Sequence, residues 1–227
     1  MNGDGILIYK NQGNPALLDL LSSSRGRILD CGCGAGDNAR ILSDRGWCVT
    51  GVTIDPREQE AAREFCEVVH ITDLEKGLPP EIDGVFDAVL ASHILEHLAR
   101  PERLLREIHQ RLSPGGVLAV ALPNIAHYRQ RISRLRGQFN YTDTGQLDRT
   151  HLRFYTYRTA IQLLEQNGYE LVTATAAGAL PLWKARLVSR SMADRLDKWA
   201  VCRQPNLLGD QSLLLARTSC LYRTESD

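Results

Sequence analysis

The sequence lacks a long hydrophobic run, a surplus of either charge and a C-x-x-C cysteine motif. Its longest clean apolar run is about six residues, Val117 to Leu122, far below the roughly 18 needed to cross a bilayer. Lys+Arg and Asp+Glu both number 27, which gives a formal net charge of +0 and argues against a dedicated nucleic-acid-binding protein. None of the six cysteines forms a C-x-x-C pair, so we predict no zinc site and expect a reducing compartment.

The beginning of the sequence has no targeting signal that we recognise. Met1-Asn2-Gly3-Asp4-Gly5 lacks the basic and then apolar layout of a signal peptide. We therefore expect a cytoplasmic protein. With 227 residues, of which 43% are hydrophobic and 24% charged, the chain suits one elaborated globular domain that needs no disulfide to fold.

Short apolar runs alternate with helix-length amphipathic segments, which predicts an α/β fold with a mainly parallel sheet. The first strand, Arg27 to Asp30, leads into a glycine-rich stretch and a short helix. After the second strand, Asp55 is predicted to cap a helix, with Glu58 completing a capping box. Later strands are predicted at 48–54, 67–71, 85–91, 117–122, 170–174 and 213–222, and helices at 101–112, 156–168 and 182–200, the last burying Leu187, Val188, Leu196 and Trp199.

The stretch Asp30-x-Gly32-x-Gly34-x-Gly36 lies between a predicted strand and a predicted helix. Glycines there permit a tight turn and let a ligand approach the backbone. The dinucleotide fingerprint would require its third glycine at position 37, which is Asp37. Because a carboxylate repels a pyrophosphate, the loop better suits a ligand without phosphates, including a cationic one.

Two acids follow the next two strands. Asp55 stands 23 residues after Gly32, where nucleotide-binding α/β folds bind ribose hydroxyls. Its alternative role is the helix N-cap, and one residue can fill both roles. Asp73 follows the third strand, where it either accepts a hydrogen bond from an adenine amino group or serves as a turn residue.

These motifs resemble those of the class I S-adenosylmethionine-dependent methyltransferases. The resemblance covers roughly Arg27 to Asn124, and its matching segments are 28–36, 52–55, 86–90, 95–98 and 112–118. It implies a Rossmann-like sheet of seven strands in the order 3-2-1-4-5-7-6, with the last strand antiparallel and helices on both faces. We divide the single domain into an N-terminal cap (1–24), a cofactor-binding core (27–124), an acceptor lid (125–155) and the rest of the sheet (156–227).

The resemblance also implies the cofactor, S-adenosylmethionine, and the residues that bind it. Asp30 would lie under the cofactor's ammonium group, and Asp55 would bind the two ribose hydroxyls. The charges agree, because the cofactor carries an ammonium and a sulfonium group. The residues implied to bind or border it are Asp30, Gly32, Cys33, Gly34, Gly36, Ile54, Asp55, Asp73, Leu74, Ser92 and His93.

The lid contains a dense polar and aromatic segment, residues 139–155. Similar Asp-Arg-Thr-His-Leu-Arg-Phe segments occur in a methyltransferase branch linked to glycan and secondary-metabolite pathways. We predict His151 as the general base for a hydroxyl acceptor, with Asp148 or Asp143 orienting it. The alternative is a structural ion-pair network with His151 packed inside. Residues predicted to contact the acceptor are Glu96, His97, Tyr128, Tyr141, Asp148 and Tyr155.

A basic run, Arg129, Arg131, Arg134 and Arg136, lies within the lid. A solvated helix face is the favoured interpretation of such a run. The alternatives are an acidic or phosphorylated acceptor and contact with a membrane surface, since some relatives act on membrane-soluble quinone precursors.

The leading functional prediction is an enzyme that transfers a methyl group from S-adenosylmethionine to a hydroxyl oxygen of a small molecule. A second hypothesis is a non-catalytic subunit, because residues 122–125 and 135–139 also resemble a branch that partners homoserine acyltransferases. A nicotinamide-dependent oxidoreductase is disfavoured by Asp37. The sequence leaves the identity of the acceptor and the oligomeric state open.

Overall fold

The computed structural model describes residues 12–21, 25–180 and 189–219. Seven strands form one sheet, in the order β3-β2-β1-β4-β5-β7-β6. Their bounds are β1 Arg27–Cys31, β2 Cys48–Thr53, β3 Val68–Ile71, β4 Phe86–Ser92, β5 Leu112–Pro123, β6 Tyr169–Ala177 and β7 Gln211–Thr218.

The strand directions confirm the topology that the sequence resemblance implies. β1 pairs in parallel with β2 and with β4. β2 then pairs in parallel with β3, and β4 with β5. β7 runs antiparallel to both of its neighbours, β5 and β6. The carboxyl ends of the parallel strands therefore meet at one edge of the sheet, which is where ligands bind in this architecture.

Eight α-helices accompany the strands within the described residues. α2 begins at Asp37, directly after the glycine-rich loop, and α3 begins at Pro56, after the N-cap Asp55. Two short 3-10 turns follow β3 and β4, at Leu74–Lys76 and Leu95–His97. The helices are α1 Pro15–Leu18, α2 Asp37–Asp44, α3 Pro56–Ala62, α4 Pro101–Arg111, α5 Tyr128–Leu135, α6 Tyr157–Gln166, α7 Arg190–Arg203 and α8 Pro205–Leu208.

Helices cover both faces of the sheet, as predicted. Alternate residues of the strands point to opposite faces, so Leu29 and Val89 pack in one buried cluster with α4 and α6. Ile28 and Leu90 pack in the other, with α1 and α2. Burying one such side chain stabilises the fold by about 2 kcal/mol, so the two clusters hold the sheet rigid beneath its carboxyl edge.

Two predicted details of the C-terminal half are wrong. Leu196 and Trp199 were expected on the buried side of α7 but are 47% and 61% exposed. The helix instead buries Ala193 and Ala200, because small side chains let it lie close to β6. β5 begins at Leu112 rather than Val117, since the Ser-Pro-Gly-Gly stretch continues the strand through a register irregularity opposite Phe86. Leu187 and Val188 lie outside the described residues.

The described part of the predicted N-terminal cap is the short helix α1. Leu17 and Leu18 are fully buried in the cluster that contains α2. Asn14, just before α1, donates a hydrogen bond of 2.9 Å from Nδ2 to Oε1 of Gln211, at the carboxyl edge of the sheet. Across the described residues, no helix is both long enough and apolar enough to traverse a bilayer.

Candidate active site

The glycine-rich loop between β1 and α2 opens onto the carboxyl edge at one glycine. Its glycines 32, 34 and 36 all have positive φ angles, 78°, 52° and 89°. A Cβ atom at Gly32 would lie 2.9 Å from Ile94, and one at Gly36 would lie 3.0 Å from the backbone of Ala62. A Cβ at Gly34 would meet no described atom within 4 Å. Gly32 and Gly36 therefore allow the loop to pack against its own fold, whereas Gly34 faces open space that a ligand can enter.

Asp30, the residue before this loop, is a buried carboxylate without a hydrogen-bond partner in the described structure. Its side chain is 0% exposed, and neither Oδ1 nor Oδ2 is hydrogen-bonded. Burial raises the pKa of Asp30 to about 7, because the charged form loses its hydration. An unpaired buried carboxylate favours a nearby cation. The ammonium group of S-adenosylmethionine therefore fits this position. The open space at Gly34 would let the cofactor come close to the backbone of the loop.

Cys33 contributes its backbone to the loop and its side chain to the core. The Cys33 thiol is buried, and a Cβ at Gly51 would lie 2.8 Å from its sulfur and 3.3 Å from that of Cys66. Burial raises the pKa of Cys66 to about 12. The two thiols therefore pack as small apolar groups rather than as reactive thiolates.

Asp55 caps α3 and is also engaged by a neighbouring arginine. Its Oδ1 accepts a hydrogen bond of 2.8 Å from the backbone N–H of Arg57, and its Oδ2 lies 2.6 Å from Nη2 of Arg57. These hydrogen bonds lower the pKa of Asp55. The predicted capping box is wrong, since Glu58 accepts a hydrogen bond from the Thr53 hydroxyl instead. A ribose diol at Asp55 would have to displace the Arg57 guanidinium.

The other residues predicted near adenine differ in exposure. Ile54 is 67% exposed, so it offers an apolar surface beside Asp55 on which an aromatic base can pack. Asp73 accepts a hydrogen bond of 3.0 Å from the backbone N–H of Glu75, which is the turn role that the sequence left open. Leu74 is buried in the main core, and its contribution to a site is limited to its backbone.

β4 ends at Ser92, and His93 follows it in an unusual conformation. His93 has a φ of 55°, a left-handed backbone that is uncommon outside glycine and concentrates at functional sites. Its Nε2 lies 3.0 Å from Oε1 of Gln211, and its Nδ1 lies 3.3 Å from Oε1 of Glu96. Desolvation lowers the pKa of His93, but these two hydrogen bonds outweigh it and the net shift is upward.

Glu96, His97 and His151 come together in a group that we call the acceptor cluster. Glu96 is 1% exposed, and its Oε2 has no hydrogen-bond partner in the described structure. Oε1 of Glu96 lies 4.0 Å from Nε2 of His151. The rings of His97 and His151 meet edge to face with centroids 4.8 Å apart. The predicted base and two predicted acceptor-contacting residues therefore form one site.

Backbone hydrogen bonds tie the lid to the segment after β4. The N–H groups of Leu152 and Arg153 donate to the carbonyl oxygen of Glu96 over 2.9 and 3.0 Å. The Arg153 guanidinium donates to the carbonyl oxygen of Ala99. Since the two residues that follow His151 are bonded to the backbone of Glu96 and Ala99, the position of His151 beside Glu96 is set by the backbone and not only by its own side chain.

The carboxylates predicted to orient His151 make other contacts. Oδ1 of Asp148 accepts hydrogen bonds from the N–H and the hydroxyl of Thr150, over 2.8 and 2.7 Å. Asp143 lies 3.3 Å from Nε of Arg149. Burial lowers the pKa of His151, although the charge of Glu96 and the backbone of Gln146 both act to raise it. The imidazole of His151 is therefore neutral and able to accept a proton near pH 7.

A cavity of about 720 Å³ is lined by residues of the lid, among them His151 of the acceptor cluster. Its aromatic walls interact edge to face, since the Phe139 ring centroid lies 5.5 Å from that of Tyr141 and 5.9 Å from that of Phe154. Two of these three aromatic residues, both phenylalanines, were not singled out in the sequence analysis, because an aromatic residue in a loop carries no signal of what it faces. The lining residues are Phe139, Asn140, Tyr141, Arg149, His151, Leu152 and Phe154.

Two tyrosines predicted to frame the acceptor lie elsewhere. Tyr155 is 8% exposed and packs in the main core, where burial raises its pKa to about 12. Tyr128 begins α5 and stacks against His127 and Arg129. Tyr141 is therefore the predicted tyrosine that lines the cavity.

The basic run of α5 is only partly a solvated face. Nε of Arg131 donates to the carbonyl oxygen of Ala126 over 2.6 Å, and Nη2 of Arg134 donates to that of Ile125 over 2.8 Å. The Arg134 guanidinium also lies 5.7 Å from the ring centroid of Phe139. These two arginines hold the lid helix against the end of β5 and one wall of the cavity.

Comparisons with known proteins agree with this architecture. The sequence model of a family described as a methyltransferase domain matches residues 9–174. Over 119 residues the chain is 32% identical to the ubiquinone biosynthesis O-methyltransferase of Chromobacterium violaceum, which covers 45% of this chain and 48% of that protein. Over 98 residues it is 34% identical to the 2-methyl-6-phytyl-1,4-hydroquinone methyltransferase of Synechocystis sp., covering 41% and 31%. The matched region thus spans about half the length of these relatives, or less.

Solved structures show the same fold. The crystal structure of an S-adenosylmethionine-dependent methyltransferase from Mesorhizobium loti superposes with a TM-score of 0.61 at 21% identity. The superposition covers 89% of this chain and 96% of that one. At this level of identity, the likeness establishes the arrangement of helices and strands.

Proposed function

The chain belongs to the methyltransferase domain family, and from that premise we propose that it transfers a methyl group from S-adenosylmethionine to a hydroxyl oxygen of a small, ring-bearing molecule. The observation that carries the proposal is the position of the acceptor cluster. Glu96 and His97 lie just after β4, at the carboxyl edge of the sheet, and His151 lines an aromatic-walled cavity of about 720 Å³.

Residues of the sheet edge would hold the methyl donor. When bound, S-adenosylmethionine supplies a methyl group that is already activated by its positively charged sulfur. Asp30 offers a buried negative charge for the ammonium group, and Gly34 leaves its approach open. Ile54 offers apolar surface for adenine, and Asp55 offers its carboxylate to the ribose once Arg57 turns away.

The acceptor cluster would receive the hydroxyl group of the second substrate. Methyl transfer from a sulfonium is an in-line displacement, so the protein's main tasks are to align the two substrates and exclude water. A hydroxyl also has to lose its proton, and Glu96, His97 and His151 present acceptors for it. His151 is the base that the sequence predicts, and the Glu96 carboxylate 4.0 Å away would stabilise positive charge that develops on the cluster.

The cavity favours an acceptor with a flat ring. Phe139, Tyr141 and Phe154 line it, and aromatic partners gain about 1 kcal/mol from ring contacts beyond simple burial. The relatives named after quinone and hydroquinone compounds make a phenolic hydroxyl the first acceptor to test. A sugar hydroxyl is the alternative that the glycan-linked lid motif favours, because aromatic side chains also pack on sugar rings.

Transfer of a radiolabelled methyl group to a panel of phenols, catechols and sugars tests the proposal. We expect a phenolic acceptor to be methylated, and His151→Ala to reduce kcat at least about a hundredfold, in the range that loss of a proton-accepting group produces. His70 lies on β3, an edge strand of the sheet, and is not part of the acceptor cluster. His70→Ala is therefore the control and should retain turnover. A protein that binds S-adenosylmethionine but methylates no hydroxyl, and that retains a stoichiometric partner enzyme in a pull-down, would instead support the subunit hypothesis.

A further inference from the structure

The acceptor cluster has the composition and surroundings of a metal site. We propose that it binds one divalent transition-metal cation, such as zinc, through a carboxylate oxygen of Glu96 and one ring nitrogen each of His97 and His151. The three ligand atoms all lie within 4.8 Å of one another. The catalytic role that we assign to this cation rests on the proposed function, whereas its binding does not. The absence of paired cysteines bears only on cysteine-based sites.

The first argument is that the cluster contains a hydrogen-bond acceptor, the Glu96 carboxylate, without enough hydrogen-bond donors around it. Glu96 is 1% exposed. Nδ1 of His93 lies 3.3 Å from Oε1 of Glu96. Oε2 of Glu96 has no partner among the described residues. A buried carboxylate oxygen without a hydrogen-bond partner destabilises the fold, and more so when it is charged. A cation placed between this carboxylate and two imidazole nitrogens would remove that cost.

The second argument is the state of the two imidazoles. The Thr150 hydroxyl donates its proton to Asp148, so it acts as an acceptor for Nδ1 of His97 at 3.1 Å. Nδ1 of His97 therefore carries a hydrogen, and Nε2 has the free lone pair. Nε2 of His151 faces the Glu96 carboxylate, 4.0 Å from its Oε1. Metal-binding histidines usually donate their second N–H to an oxygen, as His97 does, which fixes the tautomer and orients the ring.

The donor set also limits which ion can bind. Two imidazoles and one carboxylate suit zinc and its first-row neighbours, whereas magnesium and calcium prefer sites made of oxygen alone. Three protein ligands leave a position open for water or substrate, as in catalytic rather than structural zinc sites. Ligand atoms of a tetrahedral zinc site lie roughly 3.3 Å apart at the usual bond lengths. Side-chain rotations that move the ligand atoms by about 1 Å would therefore bring them to the distances that zinc requires.

The open position would serve the acceptor, because His151 also lines the cavity. A divalent cation lowers the pKa of an oxygen bound to it by several units, so a coordinated hydroxyl would release its proton to solvent. The resulting oxygen anion attacks the sulfonium methyl group. The new C–O bond forms as the C–S bond breaks, the sulfur keeps the bonding electron pair, and the products are the methyl ether, the neutral thioether of the cofactor and one proton.

Calorimetric titration of the chelator-stripped protein with zinc chloride tests binding directly, and Co²⁺ serves as a spectroscopic probe. We expect one equivalent of zinc per chain and a visible absorption band of the Co²⁺ form that reports nitrogen ligands. Glu96→Gln and His151→Ala should each weaken zinc binding at least about tenfold. His70→Ala should bind zinc like the wild type. Titration of every variant with S-adenosylmethionine checks that the fold is intact.

The outcomes separate this inference from the proposed function. A wild-type protein that binds no zinc at micromolar concentrations, or variants that bind it as tightly as the wild type, would overturn the metal site. If such a metal-free protein still methylates a phenol, the proposed function stands and His151 acts as the base unaided. Stoichiometric zinc binding that depends on Glu96 and His151, without methyl transfer to any hydroxyl, would support the site and contradict the function.

Discussion

Nε2 of His151 lies 4.0 Å from Oε1 of Glu96, although one residue belongs to the lid and the other to the turn that follows β4. Two backbone hydrogen bonds from Leu152 and Arg153 to the Glu96 carbonyl oxygen hold these segments together. The contact places a buried carboxylate beside the imidazole of His151, which lines the aromatic cavity. In the proposed function, this contact links the cofactor edge of the fold to the site of the second substrate.

Asp30 is predicted to favour cofactor binding at the expense of stability. Burial raises its pKa from 3.8 to about 7, so between these pH values the folded protein holds a proton that the unfolded chain has lost. Stability of the ligand-free protein therefore falls as pH rises through this window, by up to about 4 kcal/mol at 1.36 kcal/mol per pKa unit. Above pH 7, Asp30→Asn should raise the free energy of unfolding and weaken S-adenosylmethionine binding at least about tenfold.

Chemical denaturation at pH 5 and pH 8, with calorimetric titration of the cofactor at pH 8, measures both effects. The stabilisation by Asp30→Asn should be larger at pH 8 than at pH 5. Asp44→Asn changes an exposed carboxylate at the end of α2 and should leave both quantities unchanged. Equal affinity of the Asp30→Asn variant and the wild type would show that Asp30 does not face the ammonium group.

Asp55 and Arg57 are predicted to affect cofactor binding in opposite directions. Asp55→Ala removes the group for the ribose hydroxyls and should weaken S-adenosylmethionine binding at least about tenfold, the worth of one charged hydrogen-bonding group. Arg57→Ala removes the guanidinium that lies 2.6 Å from Asp55 and should leave affinity equal or a few-fold tighter. Calorimetric titration of both variants measures this difference. A strong loss in Arg57→Ala would mean that the arginine itself contacts the cofactor.

Gly34 is predicted to favour cofactor binding through the open space beside it, in addition to allowing the backbone conformation of the loop. Alanine at a positive φ costs about 1–2 kcal/mol, and at Gly34 the added methyl group would also project into the open space of the site. Gly137 in the lid provides a matched control, since it has a φ of 70° and a Cβ there also meets no described atom within 4 Å. Gly34→Ala and Gly137→Ala should lose similar stability in thermal unfolding. Binding of S-adenosylmethionine should weaken several-fold in the first variant alone.

Arg134 is predicted to shape the acceptor cavity without touching the cofactor. Its guanidinium bonds to the Ile125 carbonyl and lies over the Phe139 ring. Arg134→Ala should therefore raise the KM for the acceptor several-fold while S-adenosylmethionine affinity stays unchanged. Arg136→Ala, an exposed arginine at the end of the same helix, is the control for lost charge. A similar rise in KM for both variants would point to general electrostatic attraction of an acidic acceptor.

The sheet order and the cofactor edge could be predicted because they depend on local signals in a fixed sequence order. The Asp-x-Gly-x-Gly-x-Gly loop, the acid after β2 and the helix after each strand all lie close together along the chain. Local signals did not predict the exposure of Trp199 and Leu196. The side of α7 that is buried depends on the strand against which the helix packs. Small residues such as Ala193 and Ala200 made that contact, and the larger apolar side chains were left exposed.

The site around His151 was only half predictable for a related reason. Glu96, His97 and His151 were each predicted as site residues, but their mutual contact depends on how the lid folds back. Asp148 seemed the natural partner of His151 by proximity in sequence, yet it bonds to Thr150. Phe139 and Phe154 became recognisable as cavity walls only once their rings could be placed against Tyr141. Contacts between segments far apart in sequence carry no periodic signal.

The most direct test of the account is a single-turnover measurement of radiolabelled methyl transfer from S-adenosylmethionine to a phenolic acceptor, with wild type and Glu96→Gln side by side. We predict that the wild type forms the methyl ether and that Glu96→Gln binds the cofactor equally well but transfers its methyl group at least about a hundredfold more slowly. Equal transfer rates in the two proteins would contradict the role of the acceptor cluster. Cofactor binding by the wild type without transfer to any hydroxyl would contradict the proposed reaction itself.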